Sequence, residues 1–234
     1  MWEVRRAADR AVTSTDWLHS AHSFAFGQHY DPANLSFGLL RAHNVDEVRP
    51  GPGYPPHRHA AVEILTWVLS GTLEHSDAEG DRRVGPGTLQ YLSAGTGIEH
   101  AERSGSAAEP VRVVQMWLAA EPGGEPRYQA VDVALPPVGL TLAASGARPA
   151  PIGLRQPGAE LFLGRLPAGA ALELPVAPYV HLFLLTGSAG VREPAGAAER
   201  LGPADALRIT DGGPGTGLVG ERDAELMVWA MAAE

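Results

Sequence analysis

The chain has 234 residues, 44% of them hydrophobic and 19% charged, which is the composition of a folded globular protein and not of a disordered or fibrous one. Its 27 acidic against 18 basic side chains give a net charge of −9 with no basic cluster, so nonspecific binding to nucleic acid or anionic lipid is disfavoured. The absence of cysteine excludes disulfides, thiolate metal sites and cysteine nucleophiles together, leaving His and carboxylate as the only strong metal ligands.

The opening MWEVRRAADR has no apolar leader core, and no stretch approaches the roughly 20 apolar residues of a membrane span. A cytoplasmic location without membrane contact is therefore expected. The 28 Gly and 20 Pro residues fall between short apolar runs, which predicts many turns and an all-β fold. From Ala61 onward, VEILTWVLSG (Val62 to Gly71) reads as a strand and SDAEGD (Ser76 to Asp81) as a turn. VGPGTLQYLSAG (Val84 to Gly95) and PVRVVQMWLAAEP then add further strands. This spacing predicts antiparallel β-barrel or jelly-roll architecture, the group that includes cupins. EPGGEPRYQAVDVALPPVG (Glu121 to Gly139) reads as a linker with no long element of its own.

The second half repeats the first weakly. VHLFLLTGSAGV (Val180 to Val191) echoes VEILTWVLSGTL, GPADALRI (Gly202 to Ile209) echoes GPGTLQYL, and ELMVWAM echoes VVQMWLA. A duplicated barrel is the economical explanation, with an N-terminal domain at 1–130 and a C-terminal domain at 131–234.

Period-two alternation puts His57, His59, Glu63, Leu65 and Trp67 on one face of an extended segment. GIEHAERSG (Gly97 to Gly105) does the same for His100 and Glu102. A lone His-x-His also occurs on solvated strands. Two ligand pairs in strand register within one half of a duplicated fold point to a divalent transition metal held by His57, His59, His100 and Glu102, a nitrogen and oxygen set that accepts Fe, Mn, Co, Ni, Cu or Zn. Glu63 shares that face and is expected to back the ligands. His75 reads as a hairpin side chain, His19, His22, His29 and His43 as packing or solvent-exposed residues, and His181 as a core histidine with its hydrogen bonds satisfied. Trp67, Trp117 and Trp229 are explained by core packing.

At these residues the chain resembles the pirin family of the cupin superfamily. The family's His-Pro-His with Glu four residues on, its Gly-x-(Leu/Val)-Glu-His-x-Asp turn and its Gly-x-Gly-Ile-x-His-x-Glu segment are similar to HRHAAVE (His57 to Glu63), GTLEHSD (Gly71 to Asp77) and GTGIEHAE (Gly95 to Glu102). The family's opening resembles HSFAFGQHYDPANLSFGLLR (His22 to Arg41), and its Gln-(Ile/Met)-Trp and Glu-Pro-x-Tyr signatures match Gln115 to Trp117 and Glu125 to Tyr128. Arg58 stands where the family has proline.

The resemblance implies a bicupin of two jelly-roll domains, with one metal, Fe(II) foremost, in the N-terminal one. Aligning Gly71 with Gly187 sets Glu173 and Pro175 opposite the two histidines and the GGPGTG run opposite His100, so the C-terminal domain is expected to lack metal. The implied activity is a dioxygenase cleaving flavonols such as quercetin with O2, with Glu102 as ligand and base. The alternative is a metal-binding regulatory protein that acts through protein contacts. A small aromatic substrate and O2, or a protein partner, are the partners these readings imply.

Overall fold

The short apolar runs separated by Gly and Pro fold into strands throughout the computed structural model, which describes residues 1–192, 198–212 and 214–232 and contains no α-helix among them. No helix there is long and apolar enough to cross a membrane. Two seven-stranded sheets each face a four-stranded sheet, giving two jelly-roll sandwiches. The small sheet of the first runs Tyr54–His59, Ile98–Ser104, Leu73–Asp77, Gly80–Val84, and that of the second runs Ala171–Glu173, Gly217–Arg222, Ser188–Arg192, Ala198–Leu201. The chain order is the same in both, as a duplication requires.

Gly71 and Gly187 mark the repeat in space. Both have φ of +76°, and a Cβ would lie 2.4 Å from the Pro110 carbonyl oxygen at Gly71 and 2.2 Å from that of Asp223 at Gly187. Only glycine has room for this turn against the start of the neighbouring strand.

The two large sheets pack on each other, and that explains their nearly continuous apolar sequences: each buries both faces. Leu40, Leu65, Tyr91 and Met116 meet Phe183, Met227 and Trp229 in one shared core. The interior of the first sandwich holds Leu18, Val48, Val68 and Val113, and that of the second Leu166, Leu182, Val191 and Leu218.

Two expectations change here. The 121–139 segment contains a strand, Arg127–Asp132, paired with Thr88–Ser93 at the edge of the first large sheet. Val131 anchors it by packing against the shared core, and Tyr128 is half-buried. At the matching edge of the second large sheet the added strand is Trp2–Arg5, paired with Ala206–Thr210, so the N-terminus belongs to the sheet of the second half.

His181 also differs from expectation. It is fully buried between the large sheets, 5.0 Å from the equally buried His43, and neither of its ring nitrogens has a partner. Burial drives both rings well below the usual imidazole range, and the nearby charges of Arg10 and Arg208 act in the same direction. A depressed folded pKa adds stability that is present above the unfolded value near 6.5 and lost as pH falls below it, at up to about 1.4 kcal/mol per pH unit for each ring. Unfolding midpoints should therefore drop between pH 7.5 and 5, with a shallower slope in His181→Leu. Equal slopes in the two proteins would contradict this.

Candidate metal centre

The first small sheet brings His57, His59, His100 and Glu102 near one another. Ile98–Ser104 is central, and its register sets His100 opposite His57 on one side and opposite Asp77 on the other, with Glu102 opposite His75. A bulge between His100 and Glu102 shifts the pairing so that Glu102 lies opposite Tyr54. Ring centroids of His57, His59 and His100 are 4.5 to 5.1 Å apart.

Two triads result, sharing His100. Ligand atoms of His57, His59 and His100 lie within 4.8 Å of one another, as do those of His75, His100 and Glu102. Three of the four expected ligands thus form one group, and Glu102 adjoins it through His100.

The donor chemistry suits a divalent metal. His57 Nδ1 lies 2.8 Å from the Pro55 carbonyl, which can only accept, so Nδ1 carries the proton and the Nε2 lone pair is free. His100 Nε2 is buried and has no protein partner, an arrangement that costs free energy unless something occupies it. Burial lowers His59 and His100 below the usual imidazole range, with Glu102 opposing, so the rings favour the neutral, ligating form.

Glu102 is buried and accepts from Gln90 Nε2 at 2.9 Å and Gln115 Nε2 at 2.8 Å. Burial pushes its carboxyl up, but His75, His100 and the Gln90 amide outweigh burial and hold it below the usual carboxylate range. The glutamines are themselves held: Tyr128 OH donates to Gln90 Oε1 at 3.2 Å, and Trp117 Nε1 to Gln115 Oε1 at 3.0 Å. Trp117 also stands edge-on to His59, at 4.9 Å, so it does more than fill the core.

His75 is no ordinary hairpin side chain. It is fully buried, with Nδ1 3.4 Å from His100 Nδ1 and 3.7 Å from Glu102, while its Nε2 lies 3.2 Å from Asp77, which Arg82 holds in turn at 2.8 Å. Its signal in the sequence was the register it shares with Asp77 inside GTLEHSD. Gln115 carried a signal too, in its motif with Trp117, whereas Gln90 carried none.

Glu63 stands apart from this group. Ala61, at φ of +54°, turns the chain between Tyr54–His59 in the small sheet and Val62–Ser70 in the large one, so alternation does not run across it. Glu63, Leu65 and Trp67 face the other sandwich, and the Glu63 carboxylate accepts from the main-chain N–H groups of Gln156 at 2.8 Å and Arg155 at 3.3 Å. It ties the two halves together.

In the second sandwich, aligning the two glycines and following the strand register puts Val191, Leu218 and Val228 at the positions of His75, Glu102 and Gln115. All three are buried in its apolar interior. Thr216 of the GGPGTG run falls opposite His100; residue 213 of that run lies outside the described residues.

Two like-ordered jelly rolls, one carrying a polar His and Glu cluster inside, define a bicupin. Residues 4–118 match the family model described as Pirin. A Mycobacterium tuberculosis H37Rv protein named "Putative quercetin 2,3-dioxygenase Rv0181c" is 44% identical over 238 residues, covering 99% of this chain and 96% of that one. Quercetin 2,3-dioxygenase of Escherichia coli K12 is 41% identical over 128 residues, 54% of this chain and 55% of that one. The crystal structure of bacterial pirin YhhW from Escherichia coli in complex with nickel(II) covers 100% of both chains at 30% identity, with a TM-score of 0.92. The chain belongs to the pirin family.

Proposed function

We propose that the protein is a metal-dependent dioxygenase acting on a flavonol-like aromatic, with one divalent metal, Fe(II) foremost, held by His57, His59, His100 and Glu102. The metal unit is built from residues 1–130, apart from the Trp2–Arg5 strand that joins the other large sheet, and runs on to the end of the edge strand at Asp132; the rest of 131–234 forms a unit without metal, in keeping with the apolar side chains at its matching positions. The observation that carries this reading is the unpartnered His100 Nε2, set among His57 and His59 and close to a buried carboxylate.

A cleft of about 620 Å³ borders His100, walled by Pro56, Ile98, Pro126 and Tyr128, which is room for a planar aromatic beside the ligands. When bound, the metal supplies Lewis acidity toward the adjacent hydroxyl and carbonyl oxygens of a flavonol. A Glu102 oxygen would take the hydroxyl proton. Gln90 and Gln115 fix the carboxylate's orientation, and His75 and His100 do most to keep it ionised.

The environment of Glu102 also favours a second reading, a metal-binding regulatory protein that works through a protein partner: His75, His100 and the Gln90 amide outweigh burial and lower the carboxylate's proton affinity, and such a carboxylate is a weak base near neutral pH. Oxygen uptake separates the two. Protein stripped of metal and reloaded with single divalent ions should consume O2 with quercetin only when loaded. No uptake with any of Fe, Mn, Co, Ni, Cu or Zn would leave the regulatory reading.

A further inference from the structure

We infer that the cleft beside Arg10, where the two halves meet, binds a small monocarboxylate against the Arg10 guanidinium. All 18 basic side chains of this protein are arginine. Many meet carboxylates, and Arg58, Arg112, Arg127, Arg155 and Arg222, which do not, are exposed to water. Arg10 and Arg208 are different: Arg10 is half-buried and Arg208 buried, and among the described residues neither has a carboxylate within ion-pair distance. A guanidinium withdrawn from water without a counter-ion is costly, and an anion would offset that cost.

Both are held in place by neutral acceptors. Arg10 Nη2 donates to the carbonyls of Ala21 at 2.6 Å and His43 at 3.3 Å, and its Nε is buried without a partner. Arg208 donates to Asn34 Oδ1 at 2.8 Å and the Ser23 carbonyl at 3.0 Å, and its guanidinium lies over the Phe24 ring at 4.4 Å. Its Nε is unpartnered as well. Asp46, the carboxylate whose field reaches Arg10, is committed to Ser20 and Tyr54.

Arg10, His22, Phe24, His29 and Asn34 line a cavity of about 280 Å³. His29 Nε2 is buried and unpartnered, a second donor or acceptor awaiting a ligand. Arg5 and Arg6 also line it but are paired with Glu3 and with Glu199 and Asp205. None of His57, His59, His100 and Glu102 lines this cavity, so it is separate from the metal centre.

The charge balance selects the ligand. A planar carboxylate matches a guanidinium edge. Asp9 and Asp31 also line the cavity and repel a dianion more than a monoanion, and the Phe24 ring gives an apolar body something to pack on.

Benzoate is a suitable probe. Titrated by calorimetry and by ring-proton NMR, it should saturate at one per chain and shift His22 and His29 while leaving His57 and His59 in place. Arg10→Gln should weaken it about tenfold or more, as loss of a charged hydrogen bond does, and His29→Gln by a smaller factor. Should Arg10→Gln fail to fold, His29→Gln and the ring shifts decide the matter. Inorganic phosphate, run in parallel, should bind at least about tenfold more weakly because its second charge meets the two aspartates. Lack of saturation, shifts confined to His57 and His59, an unchanged affinity in His29→Gln, or phosphate binding as tight as benzoate would overturn the inference.

Discussion

Replacing His100 by Ala should weaken metal binding about 10²- to 10³-fold while the protein stays folded. His100 belongs to both triads, and its free Nε2 is withdrawn from water, so no other side chain can stand in for it. Where four ligands share a binding free energy of about 10 to 16 kcal/mol, removing one costs about 3 to 4 kcal/mol, or some 10²- to 10³-fold in affinity. Folding rests instead on three apolar cores built without the site. Added metal should therefore raise the unfolding temperature of the parent, as any ligand of the native state does, and raise that of the variant only at about 10²- to 10³-fold higher metal concentration. A variant that keeps the parent's metal affinity, or one that cannot fold without metal, would contradict this.

Glu102→Gln should part metal content from rate. The substituted amide still offers one carbonyl oxygen but cannot take a proton, so flavonol-dependent O2 consumption should fall about 10²- to 10⁴-fold with much of the metal retained. The surroundings add a second consequence. Gln90 and Gln115 both donate to the present carboxylate, and an amide can accept from only one of them through oxygen. The other must turn over, which reverses the bond with the Tyr128 hydroxyl in the case of Gln90 or breaks the one from the donor-only Trp117 indole in the case of Gln115. A stability loss of about 1 to 2 kcal/mol should accompany the loss of rate. Unchanged uptake in a metal-loaded variant would remove the base role from Glu102.

The β class, the duplication and the convergence of His57, His59 and His100 were legible because Gly and Pro punctuate the strands and the strand period fixes faces. What alternation could not say is which sheet a face belongs to. His59 and Glu63 share a parity, yet the turn at Ala61 sends them into different sheets, and Glu63 ends against Arg155 and Gln156. Gln90 was illegible for a related reason, and the register of His75 with Asp77 gave no hint of Glu102: each meets Glu102 only when the strands are brought together. His181 read as a satisfied core residue because sequence gives no account of which donors a packed interface leaves out.

Anomalous diffraction from crystals of protein loaded with a single transition metal tests the central claim most directly. One peak per chain is expected, bounded by His57, His59, His100 and Glu102, at about 2.0 to 2.2 Å from the ligating nitrogen and oxygen atoms if the metal is zinc. A peak held by His75 and Glu102 without His57 and His59, or a second peak in the 131–234 unit, would contradict it.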